Sequence, residues 1–460
     1  MATRSDAVLR PDRPRTQIFL ASTLYGAATL AAALDTDRFA PAGRRLLLVS
    51  NNAATPETAT PVDRMPGFGQ LRGRFDRVLS WNETISPFHP GGWSPRPDDV
   101  PLWERHLRLL WGLGEDEVEL VLESLQVHPA LALAQLFPDA PVDVYADGLM
   151  SYGPTRNKLD PLVGTRVRRL LHLDLVPGLK PLLLTEFGVG AETVPTDAFL
   201  EVLAGLAADF DGPELHAVPE GAALLLGQYL SALGILTPEE EEELHVRMLR
   251  GAVRRGHRRV VFKPHPSAPA RWSRALEREA EQLGAELTVL ATPVLAEVLY
   301  RRKRPALVVG CFSTALLTAS AFYGLPTARV GTALLLERLT PYQNSNRVPV
   351  TLVDALVPDL ADEPGAKPVP THINGLVSAV GYAMQHQIYP DLRPVAERYL
   401  AAHLDERTRR YFKRRRLTAL ALPGALPSQL SFIPRNAAVR RVARRARAMQ
   451  RRLKKRAAFG

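Results

Sequence analysis

The chain has 460 residues, enough for two or three domains at about 150 residues each, and its balance of 46% hydrophobic and 23% charged residues excludes extended disorder. The formal charge of +10 is unevenly spread: eleven basic residues and no acid lie between Arg435 and Gly460, and taking those eleven from the 58 leaves 47 basic against 48 acidic residues. A near-neutral body excludes a nucleic-acid-binding domain face. Cys311 is the only cysteine, which excludes an intrachain disulfide and a cysteine zinc site and makes the reducing cytosol the expected compartment.

Residues Ile18–Leu34 form the first apolar stretch, behind Arg4, Arg10, Arg13 and Arg15. A signal or anchor shares that outline. Ser22, Thr23, Tyr25, Gly26 and Thr29 interrupt it, so the expectation is a strand at Gln17–Ala21, a tight loop and a helix at Ala27–Leu34. Strands are expected next at Arg45–Ser50, Asp76–Trp81 and Val142–Ala146, with a helix at Leu102–Leu113 among the connections. Asp209, Asp211, Gly212, Pro213 and Pro219 then cluster as a boundary.

The second half is more regular. Apolar runs at Ala222–Leu226, Arg259–Lys263, Glu286–Leu290, Ala306–Gly310 and Thr327–Gly331 predict buried strands. Helices are expected between them at Thr237–Gly256, Pro269–Gly284, Pro293–Arg302 and Ser313–Tyr323. The first carries Thr237 as N-cap, Pro238 at the first helical position and acids in its first turn. Strands alternating with helices mean an α/β protein with parallel, doubly wound sheets, which bind ligands beyond the carboxyl ends of their strands. The expected division is a Rossmann-like acceptor-side domain over residues 1–212, a Rossmann-like nucleotide-sugar domain over 213–400, and a helix, Pro-rich linker and basic helical tail over 401–460. Two such domains facing a central cleft make the GT-B arrangement.

Three strand ends carry candidate chemistry. Asp147-Gly148 follows Val142–Ala146; a carboxylate there can act as a general base, and Gly148 permits close approach of a substrate. Alone, an Asp-Gly after a strand is most often a turn. Lys263-Pro264-His265-Pro266 ends the strand Arg259–Lys263, and flanking prolines fix the backbone that presents the imidazole. His-Pro recurs at His89 and His128, where it ends no such strand. Ser313-Thr314 follows Ala306–Gly310 and opens a helix, which makes either an anion site or a plain N-cap.

Asp-Gly, Lys-Pro-His-Pro and Ser-Thr in this order, with Ala21-Ser22-Thr23-Leu24-Tyr25-Gly26 near the start, resemble the bacterial sialyltransferase and polysialyltransferase families over about residues 16–335. Ala146 stands where those families carry a first acid, and Thr314 where they carry a second Ser. The resemblance implies an inverting, metal-independent glycosyltransferase. It would move sialic acid or a related keto sugar from a CMP-activated donor to a glycan acceptor, in capsule or surface polysaccharide synthesis. Asp147 would deprotonate the acceptor, His265 would serve the departing phosphate, and Ser313 and Thr314 would hold it. Lys263, Gly148, Glu297 and Gln228 are further substrate-binding candidates, the last two toward ribose or base; Asn51 and Asn82 are acceptor-side candidates. No cofactor is implied. Asp35/Asp37 and Asp209/Asp211 match a metal-binding Asp-x-Asp pattern but lie away from a sheet's carboxyl edge, so no metal is expected.

A CDP-glycerol-type polymer transferase on the same fold and a nucleic-acid-binding protein using the basic tail are the alternatives. In the tail, Val439, Val442, Ala446, Met449 and Leu453 recur at helical steps among Arg and Lys. That pattern suits an anionic membrane surface, against readings as a solvated tail or a nucleic-acid contact. The expected setting is therefore cytoplasmic and peripheral at the inner face of the membrane, near a lipid-linked acceptor, with no specific nucleic acid.

Overall fold

The computed structural model describes residues 13–265, 271–363 and 372–425. The expected basic helix within 435–460 and most of the Pro-rich linker lie outside the described residues. Seven strands build the first sheet: β1 (Arg15–Ala21), β2 (Arg44–Val49), β3 (Arg77–Ser80), β4 (Glu117–Glu123), β5 (Val142–Ala146), β6 (Val167–His172) and β7 (Gly190–Thr193). Five build the second: β8 (Ala223–Leu226), β9 (Arg259–Lys263), β10 (Glu286–Val289), β11 (Leu307–Gly310) and β12 (Thr327–Arg329). Their orders are β3-β2-β1-β4-β5-β6-β7 and β10-β9-β8-β11-β12, with parallel pairing throughout both sheets. Helical crossovers cover the faces, which is why strands such as β8 (ALLL) and β11 (LVVG) are apolar and buried along their whole length. This is the expected GT-B architecture of two doubly wound domains.

The stretch Ile18–Leu34 divides as expected. β1 is followed by a buried helix, Leu24–Asp35, whose N-cap Thr23 accepts a hydrogen bond from the Gly26 N–H at 2.8 Å. Among the described residues no helix is long and apolar enough to cross a membrane. The helix Pro238–Arg254 opens with a reciprocal capping box between Thr237 and Glu240. Gly331 does not extend β12: its φ of +84° turns the chain into the next helix.

Three strands of the first sheet were not expected. β4 (EVELVLE) and β6 (VRRLLH) carry charges that read as surface positions, and β7 is a short edge strand. Those charges meet one another within the sheet. Asp143 of β5 takes ion pairs from both Arg168 and Arg169 at 2.9 Å, and Glu119 of β4 takes Arg168 at 3.1 Å and the Gln17 amide at 3.0 Å.

The C-terminal helices return toward the first sheet. Tyr389, between the helices Ile373–Gln385 and Arg393–His403, donates its hydroxyl to Glu186 at 2.6 Å and accepts from the Thr155 N–H at 2.9 Å.

Candidate functional site

In each sheet the strand order reverses once, between β1 and β4 and between β8 and β11. At such points the loops diverge and leave a crevice beyond the carboxyl ends of the strands. Both crevices open into one cavity of about 320 Å³, at the small end of the range for small-molecule sites. Asp147, Gly148, Lys263, His265, Glu297, Ser313 and Thr314 all line it, together with Thr23 and Tyr25. Larger hollows occur elsewhere among the described residues, such as one of about 860 Å³ between the helix Pro238–Arg254 and Gly331, which contains none of these residues.

Asp147 enters from the end of β5. Thr23, whose oxygen already caps the helix Leu24–Asp35, points its own hydrogen at Asp147 Oδ2, 3.4 Å away. Burial pushes the carboxyl of Asp147 above the ordinary range, and the Thr23 bond partly offsets this. The packing here requires Gly26. A Cβ at that position would stand 3.1 Å from Thr23 Oγ1 and from the Tyr145 hydroxyl, and 3.2 Å from Asp147 Oδ2. Gly26→Ala is therefore expected to displace the carboxylate by tenths of an ångström and lower kcat about tenfold, measured as donor turnover, with the fold retained in circular dichroism.

The acid that the motif would place at position 146 is Ala146, but a second carboxyl is close by. Glu123, at the end of β4, lies opposite Tyr145 in register and is 8% exposed. Burial and the neighbouring Asp147 charge push it up to about 7. Sequence reasoning missed Glu123 because it missed β4.

The opposite wall comes from the second sheet. Ser313 is the N-cap of the helix Thr314–Tyr323, with its oxygen accepting from the Ala315 N–H at 3.2 Å, a role worth about 1 kcal/mol. A hydroxyl that accepts in this way keeps its hydrogen for a ligand, so cap and anion contact are compatible. Thr314 lies on the Asp147 loop: its Oγ1 accepts from the Leu149 N–H at 3.4 Å and stands 3.1 Å from where a Gly148 Cβ would be. Gly148 thus lets the two walls approach each other, and the Tyr25 hydroxyl meets Thr318 Oγ1 at 3.2 Å deeper in the same junction.

Lys263 ends β9 and His265 stands at the exposed lip two residues on. Burial, with the Lys263 ammonium adding to it, pushes the imidazole below its ordinary value, so the free protein holds it neutral at pH 7. Glu297, in the first turn of the helix Ala296–Lys303, is buried and pushed up to about 7, with its own backbone N–H and Lys263 pulling the other way. Lys263 is in turn lowered by burial and partly restored by Glu297.

Gln228 is not on the cavity wall. Its Oε1 accepts from the Phe312 N–H at 2.9 Å and so braces the loop that carries Ser313. Asn51 and Asn82 hold each other through backbone contacts of 2.8 and 2.9 Å. Asn51 also donates to the carbonyls of Pro56 and Ala59. Asp35 is held by Arg74 at 2.6 Å, and Asp211 by Arg302 and His216. Among the described residues no cluster of three or more His, Cys, Asp or Glu is placed to hold a metal.

The site thus has one wall with the Asp147 carboxylate and one with a cation beside the buried Glu297, an imidazole, two hydroxyls and a helix N-terminus, a division suited to proton removal on one side and anion binding on the other. Among solved structures, the chain resembles a Photobacterium sp. JT-ISH-224 2,6-sialyltransferase in complex with CMP and lactose, at 12% identity over 76% of this chain and 79% of that one, TM-score 0.41. It also resembles the GT-B domain of a Photobacterium damselae sialyltransferase, at 12% identity over 74% and 96%, TM-score 0.38. A third is a point variant of a Thermobaculum terrenum O-GlcNAc transferase, at 16% identity over 89% and 69%, TM-score 0.34. No curated protein sequence matches significantly. The profile of the alpha-2,8-polysialyltransferases matches residues 17–332, which spans both sheets and every residue of the cavity. The chain is a glycosyltransferase and belongs to the alpha-2,8-polysialyltransferase family.

Proposed function

We propose that the protein transfers sialic acid, or a related keto sugar, from a CMP-activated donor to a hydroxyl of a glycan acceptor by a single inverting displacement. The observation that carries this reading is the meeting of Asp147 with His265, Ser313 and Thr314 in one cavity where both sheets reverse their strand order. The acceptor oxygen gives its proton to Asp147 and bonds to the anomeric carbon as the bond to the CMP phosphate oxygen breaks. The electron pair leaves with CMP. His265 and the Ser313 and Thr314 hydroxyls, with the N-terminus of the helix Thr314–Tyr323, hold the phosphate charge, which lowers the barrier electrostatically and needs no metal. Lys263 adds a cation to that wall, Glu297 serves the nucleoside, Gly148 leaves room for the reacting atoms, and Gln228 braces the Ser313 loop.

The reading extends to location. A basic tail at 435–460 would hold the enzyme at the cytoplasmic face of an anionic membrane, beside a lipid-linked acceptor for capsule or surface polysaccharide. Flotation with anionic vesicles, comparing full-length protein with a chain ending at residue 425, checks that part.

The donor is tested by incubating the full chain with CMP-sialic acid, CDP-glycerol and UDP-sugars and following nucleotide release, with His265→Ala as control. CMP-sialic acid is expected to turn over preferentially and to lose that advantage in the variant. Equal use of UDP- or CDP-compounds would refute the donor assignment.

A further inference from the structure

We propose that Glu123 is a positioning residue for Asp147: a neutral carboxylic acid that donates its hydrogen to Tyr145 and so leaves Asp147 as the single ionised carboxylate at this strand edge. The hydrogen-bond accounting around Tyr145 carries the proposal. The Tyr145 hydroxyl lies 2.8 Å from the Leu20 carbonyl oxygen and 3.1 Å from Glu123 Oε2, and the tyrosine is 1% exposed. A phenol has one hydrogen, and a carbonyl can only accept. Were Glu123 ionised, the single phenolic hydrogen could fill only one of the two contacts, and the other would set oxygen lone pairs against each other at 2.8 or 3.1 Å. A protonated Glu123 removes the conflict: its O–H donates to the phenolic oxygen, whose own hydrogen goes to Leu20.

The consequence reaches Asp147 because the same hydroxyl and Asp147 Oδ2 flank the single atom-sized gap left by Gly26. The titratable groups acting on Glu123 are Asp147 and Tyr145, both from β5, while the β1 end contributes only the neutral hydrogen bonds of Ser22. Two carboxyls sharing one pocket do not both ionise readily. The more deeply buried Glu123 keeps the proton, and Asp147, open to the cleft and held by Thr23, is left as the base. Loss of the Glu123 proton would break the bond to Tyr145 and add a second negative charge below a cavity proposed to take an anionic donor.

The functional consequence rests on the transferase reading; the protonation does not, and the test separates them. Infrared difference spectra of the full chain, wild type minus Glu123→Gln, are expected to show a protonated-carboxyl carbonyl band at pH 6 that fades as the pH rises through about 7. This readout needs no substrate, and the subtraction removes the contribution of Glu297. Carboxylate bands alone at pH 6 would overturn the proposal whatever the donor. In turnover at pH 6, Glu123→Gln, which keeps an N–H for Tyr145, is expected to hold kcat within about threefold, whereas Glu123→Ala falls more than tenfold. Above pH 7 the donor KM of the wild type is expected to climb while that of Glu123→Gln stays flat. Equal losses for Gln and Ala at pH 6 would mean that the ionised form is the working one, contrary to the proposal. Should Glu123→Ala fail to fold, Tyr145→Phe decides: it removes the acceptor, and the carboxyl band is expected to shift; an unmoved band overturns the assignment.

Discussion

Asp147→Asn is expected to lower kcat by about 10³-fold while the donor KM stays within a few-fold of wild type. The substitution preserves shape and removes only the ability to take a proton. The carboxylate is held only by its own backbone N–H and by the long 3.4 Å contact to Thr23, so little folding free energy depends on the charge, and the melting temperature should hardly move. The pH profile follows from the same surroundings. Burial holds the carboxyl above the usual Asp range, so the acid limb of kcat/KM is expected at a higher pH than for an exposed aspartate: activity is present above that limb and is lost as the pH falls through it. A variant that keeps a tenth or more of wild-type turnover would remove Asp147 from the role of base.

His265→Ala is expected to lower kcat/KM about 10²-fold or more. The imidazole stands at the lip of the cavity across from Asp147 and is held neutral in the free protein by burial and by Lys263. A phosphate anion placed against it favours the protonated ring, so binding and protonation support each other. CMP affinity by calorimetry is therefore expected to rise more steeply in the wild type than in His265→Ala as the pH falls through the imidazole range. The comparison between the two proteins cancels the titration of CMP itself. Parallel pH dependences would mean that His265 does not meet the phosphate.

The positions of His265 and Ser313 are readable because the strands beneath them hold uninterrupted apolar runs, whereas β5 beneath Asp147 is broken by Asp143. VVF of β9 and LVV of β11 announce buried strands, so the residues after them announce the loops at the sheet's carboxyl edge. The same logic failed at β4, where glutamates alternate with apolar residues. Glu119 is spent on Gln17 and Arg168 across the sheet, and Glu123 is paired to a tyrosine, partners that no local pattern reveals. Missing β4 concealed both the reversal point between β1 and β4 and the second carboxyl of the site. Gln228 shows another limit of local pattern: its place after β8 suggests a ligand contact, and only the folded loop reveals that its amide oxygen also serves the Phe312 N–H. Gly26 was visible as a residue but not as a necessity, since the need for a missing Cβ exists only once β1, β5 and the helix Leu24–Asp35 converge.

The Pro-Gly cluster at 209–221 falls between the two sheets, where the chain passes from β7 through the helix Thr196–Asp209 to β8. Within the stretch 213–400 expected as the nucleotide-sugar domain, Tyr389 engages Thr155 and Glu186 of the first half through its hydroxyl. That return ties the C-terminal helices to the loops beyond the first sheet, so substitutions there bear on the relative placement of the two cavity walls.

The central claim is a single displacement at an anomeric carbon with Asp147 as base, and product stereochemistry tests it most directly. Nuclear magnetic resonance of the glycan formed from CMP-sialic acid and an oligosaccharide acceptor is expected to show the anomeric configuration opposite to that of the donor, with CMP released in equal amount and no product formed by Asp147→Asn. Retained configuration, or transfer undiminished in Asp147→Asn, would contradict it.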